Sequence, residues 1–211
     1  MPRADTIDGM DIGNIRSSER GSLHGRMLVA MPGMPDPRFA RSVILICAHS
    51  ADGAMGLRVD QLAEDISFPE LLQQLEVLPE GHERLSDPGV RGIKVHAGGP
   101  VESGRGFVLH SPDYHNNNST LQIEPGVSLT ATLDILKAIA SGNGPRTKFM
   151  ALGYAGWGAG QLESEVQANG WLHCEADREL IFGSKLEDKY EMALAKIGIS
   201  PEHLSSEAGH A

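Results

Sequence analysis

The chain has 211 residues, 40% of them hydrophobic and 22% charged, which is enough for one soluble domain with a sizeable core. Its formal net charge is −10, and no lysine or arginine run exceeds one residue, which argues against binding nucleic acid through a basic face. The longest uncharged apolar run, Ser42–Ala48, is far shorter than a membrane span, and the 25 glycines and 12 prolines exclude a simple helical bundle.

In chain order, Met1 to about Ser22 mixes charges of both signs with Gly and Ser and has no apolar h-region; it reads as a mobile leader, not a signal peptide. Gly25–Met31 reads as the first strand. Three prolines make Pro32–Pro37 a loop. Ser42–His49 is a near-continuous apolar run, hence a strand buried on both faces, and Ala51-Asp52-Gly53 turns it into a partner strand over Ala54–Asp60. Ser67-Phe-Pro-Glu70 is a capping box that opens a helix to about Leu75. Val77–Gly92 reads as an exposed loop, Ile93–Ala97 as a short strand, Gly98-Gly99-Pro100 as a sharp break, and Gly106–His110 as the next strand. Thr120–Ile123 and Val127–Thr132 form a hairpin through Glu124-Pro125-Gly126. Leu133–Ser141 is an amphipathic helix stopped by Gly142.

The stretch Leu152–Glu165, LGYAGWGAGQLESE, organises the chain. Phe149–Tyr154 reads as a strand, the glycines as a turn, and Gln161–Asn169 as a helix closed by Gly170. Backbone N–H groups at such a corner could cradle an anion, with Gly156, Trp157 and Gly158 as the contacting residues. The spacing GxxGxGxG matches neither a dinucleotide fingerprint nor a P-loop, and Glu163 and Glu165 would repel phosphate, so a corner plugged by Trp157 is the favoured reading. Beyond it, Trp171–Cys174 and Glu179–Phe182 read as strands. Ser184-Lys-Leu-Glu187 reads as a second capping box whose helix ends at Gly198. Ser200-Pro201 starts a last helical turn, and 205–211 is a frayed tail. Residues 23–204 thus form a single domain of class α+β, because strands come in runs rather than alternating with helices.

Together LHGRMLVAMPGMPDPRF, SVILICAHSADGAMGL, AGGPV, GFVLH, LGYAGWGAGQLESE and NGWL resemble the bacterial AlgH/YqgE family, in ordered blocks that cover nearly all of residues 23–183. The resemblance implies a cytoplasmic protein whose bifurcated, bulged β-sheet folds into a pseudo-barrel with flanking helices. It supplies a label, putative transcriptional regulator, but no catalytic residues. The sequence departs from the family pattern at Arg58-Val59-Asp60-Gln61, where relatives continue with Asn-basic-Pro, and at Tyr190, where Trp is expected.

Several groups are candidates for chemistry. His96 and His110 flank the GGPV connection and would approach each other if their strands paired; with Glu102 they could serve a metal or acid–base chemistry. No HExxH or comparable spacing supports a metal, and no cofactor is expected. Gly98 and Gly99 could form an anion nest or a sheet-corner bulge. His49 ends the buried strand. Ser103 and Ser111 lack a nucleophile-elbow context, and Cys47 and Cys174 lie in apolar runs that suit a reducing cytoplasm. Tyr114-His115 and Asn116–Asn118, with Arg105 nearby, offer a partner-binding loop or a merely solvated one. The leading expectation is a non-enzymatic binding or regulatory protein acting through a protein partner or a small ligand; the alternatives are an enzyme built on the His/Glu cluster and, third, direct DNA binding.

Overall fold

A computed structural model describes residues 6–7, 10–11, 21–116, 119–123 and 126–199. The elements in chain order are β1 (Thr6–Ile7), β2 (Met10–Asp11), β3 (Arg26–Ala30), β4 (Val43–Ser50), β5 (Gly53–Arg58), α1 (Phe68–Gln74), α2 (Pro88–Arg91), β6 (Val95–Ala97), β7 (Val101–His110), β8 (Thr120–Ile123), β9 (Val127–Thr130), α3 (Leu133–Ala140), β10 (Lys148–Gly158), α4 (Gln161–Gln167), β11 (Trp171–Glu175), α5 (Arg178–Phe182) and α6 (Lys189–Ile197). The fold is α+β. Most of the expected leader, the last helical turn and the frayed tail lie outside the described residues.

The chain gathers into two compact units. The first contains Gln61–Tyr154 and the small β1–β2 ladder. In it the first part of β10 is flanked by β6, parallel, and by β7, antiparallel; β7 pairs onward with β9, and β9 with β8. The sheet thus branches at β10 and bulges at Gly153; the family resemblance implies a bifurcated, bulged sheet without saying where. The core of the unit joins Phe68, Leu71 and Leu72 of α1, Ile135, Leu136 and Ile139 of α3, and Val108 and Met150 of the strands. Helix α1 starts as its sequence dictates: Glu70 N–H donates to Ser67 Oγ at 3.4 Å, and Ser67 N–H donates to Glu70 Oε2 at 2.7 Å. Such a cap contributes about 1 kcal/mol.

The second unit contains the described residues of Asn14–Asp60 and Ala155–Ala211. Its ladder runs β11, β3, β4, β5 and the end of β10, all antiparallel, with a bulge in β4 between Ile46 and Ala48. Leu28, Ala30, Ile44, Ile46 and Ala54 on one face pack with Trp157, Leu162 and Trp171. Tyr190 keeps a buried ring whose hydroxyl donates to Ala30 O at 2.8 Å, a hydrogen bond that anchors α6 to β3.

Four sequence expectations are corrected. Val77–Gly92 is not an open loop: it holds a 3-10 turn at Glu83–Ser86 and α2, and Val77, Leu78, Leu85 and Val90 reach the core. Glu179–Phe182 is helical, because Asp177 caps it, accepting from Leu180 N–H at 2.8 Å. The Ser184 box does not cap α6; a 3-10 turn, Leu186–Asp188, follows Lys185 with no side-chain cap. Helix α4 ends at Gln167, and Asn169, not Gly170, takes the left-handed φ, at 57°.

Candidate functional site

The glycine-rich stretch is not a turn. Strand β10 runs through it to Gly158, with Gly156 opposite Met55, Trp157 opposite Ala54 and Gly158 opposite Gly53. Alternation decides the outcome: Gly156 and Gly158 face solvent, while Ala155 and Trp157 are buried. The backbone groups proposed for an anion belong to a β-ladder, and helix α4 has only seven residues. The two glutamates that were to repel phosphate bind protein groups instead. Glu165 Oε2 accepts from both indoles, Trp157 Nε1 at 2.9 Å and Trp171 Nε1 at 2.8 Å, and its Oε1 accepts from Gln161 Nε2 at 2.8 Å. Nothing in the sequence marks this clasp beyond the helical spacing of Gln161 and Glu165.

His49 meets the other glutamate. Leu23 N–H donates to its Nδ1 at 2.8 Å, which leaves Nε2–H to donate to Glu163 Oε1 at 2.9 Å. The imidazole is buried and both ring nitrogens are engaged. The Glu163 carboxyl is held below its ordinary pKa by its own backbone N–H and then by His49.

The GGPV connection is the second expected site. Gly98 N–H donates to Leu152 O at 2.8 Å and so is not offered to a ligand. β7 begins at Val101, not Gly106, and between the pairs Val101–Tyr154 and Gly106–Leu152 the four residues Glu102–Arg105 lie opposite Gly153 alone. The result is a large bulge, four residues opposite one. Gly153 has φ 69°, and a Cβ there would overlap the Gly99 carbonyl oxygen and stand 2.9 Å from that of Val101. Glu102 is itself left-handed, at φ 44°. Arg105 Nη1 donates to Glu102 Oε2 at 3.0 Å and its guanidinium lies 5.4 Å from the centroid of the Phe107 ring, while Glu102, Ser103 and Gly104 stand in solvent.

The structure does not bring His96 and His110 together. Their strands do not pair, because β10 lies between them, with His96 opposite Ala151 and His110 opposite Lys148. Two strand spacings and three residues of rise put their Cα atoms about 14 Å apart. Ala151 and Lys148 differ by an odd number, so the two imidazoles point to opposite faces. The ring of His96 packs on Phe149, centroids 4.1 Å apart. His110 Nδ1–H donates to Ser111 O at 2.8 Å, so its Nε2 accepts from Thr130 Oγ1 at 2.9 Å; Thr130 in turn pairs with Thr120 at 2.8 Å. Burial lowers the pKa of His110, so the neutral ring is its resting form.

The remaining candidates are structural. Ser111 Oγ bonds Asp113 and Thr147 O, and Ser111 first of all lowers the Asp113 pKa. Tyr114 is half-buried against the first core, edge-on to His110. Cys47 and Cys174 are free and buried, and burial pushes the Cys47 thiol up to about 12. Arg58, at the departure from the family pattern, donates to Asp60 Oδ2 at 2.7 Å and to Arg38 O at 2.8 Å, while Asp60 accepts from Val43 N–H at 3.0 Å. These charges are thus spent on each other and on the exit of β5. Among the described residues no group of three or more His, Cys, Asp or Glu is placed to hold a metal, and no helix is long and apolar enough to cross a membrane.

Comparison with known proteins identifies relatives along almost the whole length. The AlgH-like family model matches residues 27–202. A UPF0301 protein of Bradyrhizobium sp. is 60% identical over 195 residues, 92% of this chain and 90% of its own length. Another, from Rhodopseudomonas palustris strain HaA2, is 54% identical over 211 residues, 100% of this chain and 97% of its own. The solution structure of the AlgH protein from Pseudomonas aeruginosa superposes with a TM-score of 0.73 at 38% identity, covering 93% of this chain and all of that one. The crystal structure of a protein from Corynebacterium diphtheriae shares the fold, at TM-score 0.57 and 20% identity over 81% of this chain and 84% of that one.

Proposed function

The chain belongs to the AlgH-like family, and we propose that it works by recognition: it holds a protein partner, or a small ligand, at its surface as a regulatory protein and does not turn over a substrate. The observation that carries this reading is the bulge Glu102–Arg105. It is a polar bulge in β7, with Glu102 in the left-handed region, packed so closely on Gly153 that a side chain there would collide with it, and closed by the Arg105–Glu102 pair. A rigid scaffold that projects a preshaped loop suits binding. The glycine-rich strand and the parted histidines support the same reading, since their chemistry is absorbed within the fold. Two free buried thiols suit the reducing cytoplasm we assign it to.

The test is a capture experiment comparing the wild-type chain with Arg105→Glu, an exchange that repels Glu102 and reshapes the loop. A ligand or protein retained by the wild type is expected to be lost by the variant while its circular dichroism melt is unchanged. A turnover activity abolished by substitution of His96, Glu102 or His110 would overturn the reading. The enzymatic alternative has one observation in its favour: the Thr130 hydroxyl donates to the free nitrogen of His110, the pairing an activated nucleophile uses. Both groups are fully buried, so covalent labelling of Thr130 by a hydroxyl-directed reagent in the folded chain is the result that would establish it. Direct DNA binding is opposed by the net charge of −10, and a flat titration with duplex DNA at low salt would remove it.

A further inference from the structure

We propose that the segment Leu62–Glu83 of the first unit forms a docking groove for a basic, amphipathic segment of a protein partner. The proposal rests on the reading of this chain as a binding protein and names a second surface and the chemistry of what it takes. Three features lie along this stretch of the chain.

The first is charge. Between Gln61 and Glu83 there are six carboxylates, at Glu64, Asp65, Glu70, Glu76, Glu80 and Glu83, and no lysine or arginine, in a chain whose net charge is −10. All six are exposed. Arg84, the next cation along the chain, is already paired with Asp87 at 3.2 Å. The second feature is apolar exposure. Leu62 and Leu75 are 39% and 40% exposed, two of the three large hydrophobic residues that stand in solvent among the described residues. The third is a cavity. A groove of about 450 Å³ is lined by Gln73, Glu76, Leu78, Pro79 and Glu80.

The groove has fixed walls. Glu76, at φ 55°, turns the chain off the end of α1, and the N–H groups of Val77 and Leu78 both return to Leu72 O, at 2.9 and 3.2 Å. Val77 and Leu78 pack on the core beneath. The result is an apolar floor of Leu78 and Pro79 rimmed by two carboxylates, just beyond the C-terminal end of α1. Lysine and arginine fit such a site because their aliphatic stems lie on apolar surface while their heads reach the rim. Leucine-like side chains of the same segment would cover Leu75, the exposed residue that precedes Glu76. Nucleic acid is excluded by sign. A small apolar ligand is disfavoured because the groove is open and its rim charged.

The probe is a synthetic lysine–leucine peptide patterned as an amphipathic helix, titrated into the full 211-residue chain and followed by amide chemical shifts. Shift changes confined to residues 62–83 are expected, together with a Kd that rises about tenfold or more in Glu76→Lys/Glu80→Lys, as reversal of charges facing a cationic partner does. Both positions are exposed, so the variant should fold, and an unchanged circular dichroism spectrum confirms it. Reversal at Asp52 and Glu187, outside the segment, should leave Kd unchanged. A peptide with serine in place of leucine should bind about tenfold more weakly, since the apolar floor then goes uncovered. Shifts spread over other surfaces, equal binding of the serine peptide, or a Kd indifferent to the double reversal would each overturn the groove. If the groove fails while Arg105→Glu still abolishes capture of a partner, recognition stands and this site falls; if a catalytic activity is found instead, the underlying reading falls with it.

Discussion

Gly153 is the position where the reading of the glycine-rich stretch is most exposed to test. In Gly153→Ala the added Cβ must adopt φ 69° and enter space held by the Gly99 carbonyl oxygen, the Val101 carbonyl oxygen at 2.9 Å and the Ser103 Cα at 3.1 Å. Left-handed φ costs a residue with a side chain about 1–2 kcal/mol. Backbone neighbours do not rotate away as a side-chain tip does, so relief requires shifting the bulge, at about 1–3 kcal/mol more. The expected loss is therefore about 2–5 kcal/mol, and with it the geometry of Glu102–Arg105. Two neighbours serve as internal references. Gly160 has φ 70° but nothing within 4 Å of its Cβ position, so Gly160→Ala should lose only about 1–2 kcal/mol. Gly158 faces only Gln161 Oε1 at 3.8 Å, so Gly158→Ala should be neutral or stabilising by about 0.5 kcal/mol, because alanine has fewer unfolded conformations to lose. Urea unfolding followed by far-ultraviolet circular dichroism gives the order. If the three variants unfold within about 0.5 kcal/mol of one another, the glycines are not there for close backbone approach and the bulge argument is wrong.

Glu165→Leu removes the acceptor of both indole N–H groups; each donor left buried costs about 1–3 kcal/mol, so a loss of about 2–6 kcal/mol is expected in unfolding monitored by the fluorescence of Trp157 and Trp171, with Glu165→Gln milder because one carbonyl oxygen remains. His110 carries a pH signature. Its folded pKa lies below its unfolded one, so the unfolded chain takes the proton first as pH falls below about 6.5; its contribution is intact above that value and is lost on acidification toward the folded pKa, at up to about 1.4 kcal/mol per pH unit. His110→Gln should flatten the stability-versus-pH slope in that window relative to wild type, and an unchanged slope would show that the neutral, threonine-bound ring is misassigned. Cys47, with its thiol pushed up to about 12, should resist a disulfide reagent at pH 8 and react only after unfolding; rapid labelling of the native chain would contradict its burial.

Much of this fold was legible because local chemistry and tertiary structure agree. The apolar run Ser42–His49 became a fully buried strand, Ser67 and Glu70 formed the box their spacing announces, and Gly198 closed α6 at φ 79°. The failures have a common cause. Arg-Glu-Leu-Ile-Phe at 178–182 is too short for periodicity to separate strand from helix, and only the cap from Asp177 decides it. The glycines of β10 are turn residues by local preference, yet each faces either solvent or a backbone that must come close, as Gly53 and Gly99 do. Glycine density reports the need for space and does not distinguish a turn from a tightly packed strand.

The candidate site was less legible than the fold because it depends on register, which sequence does not carry across a gap. The idea that His96 and His110 form a cluster required β6 and β7 to pair. A strand almost forty residues further on inserts between them, and one odd step in register then sends the rings to opposite faces. The same insertion creates the surface the protein does present. β10 passes both strands, Gly153 yields its side-chain volume, and the surplus residues Glu102–Arg105 are pushed out as a bulge. The glycine-rich motif and the GGPV motif are therefore one structural device: the first supplies the gap that lets the second project. Arg105→Glu and Gly153→Ala should consequently converge on one phenotype, loss of the bulge's binding, by different routes. Gly153→Ala should reach it with a loss of stability and Arg105→Glu without one, because an exposed ion pair contributes at most about 1 kcal/mol. If Gly153→Ala destabilises the fold yet leaves capture intact, the bulge is a packing solution only, and recognition must be sought on another face of the protein.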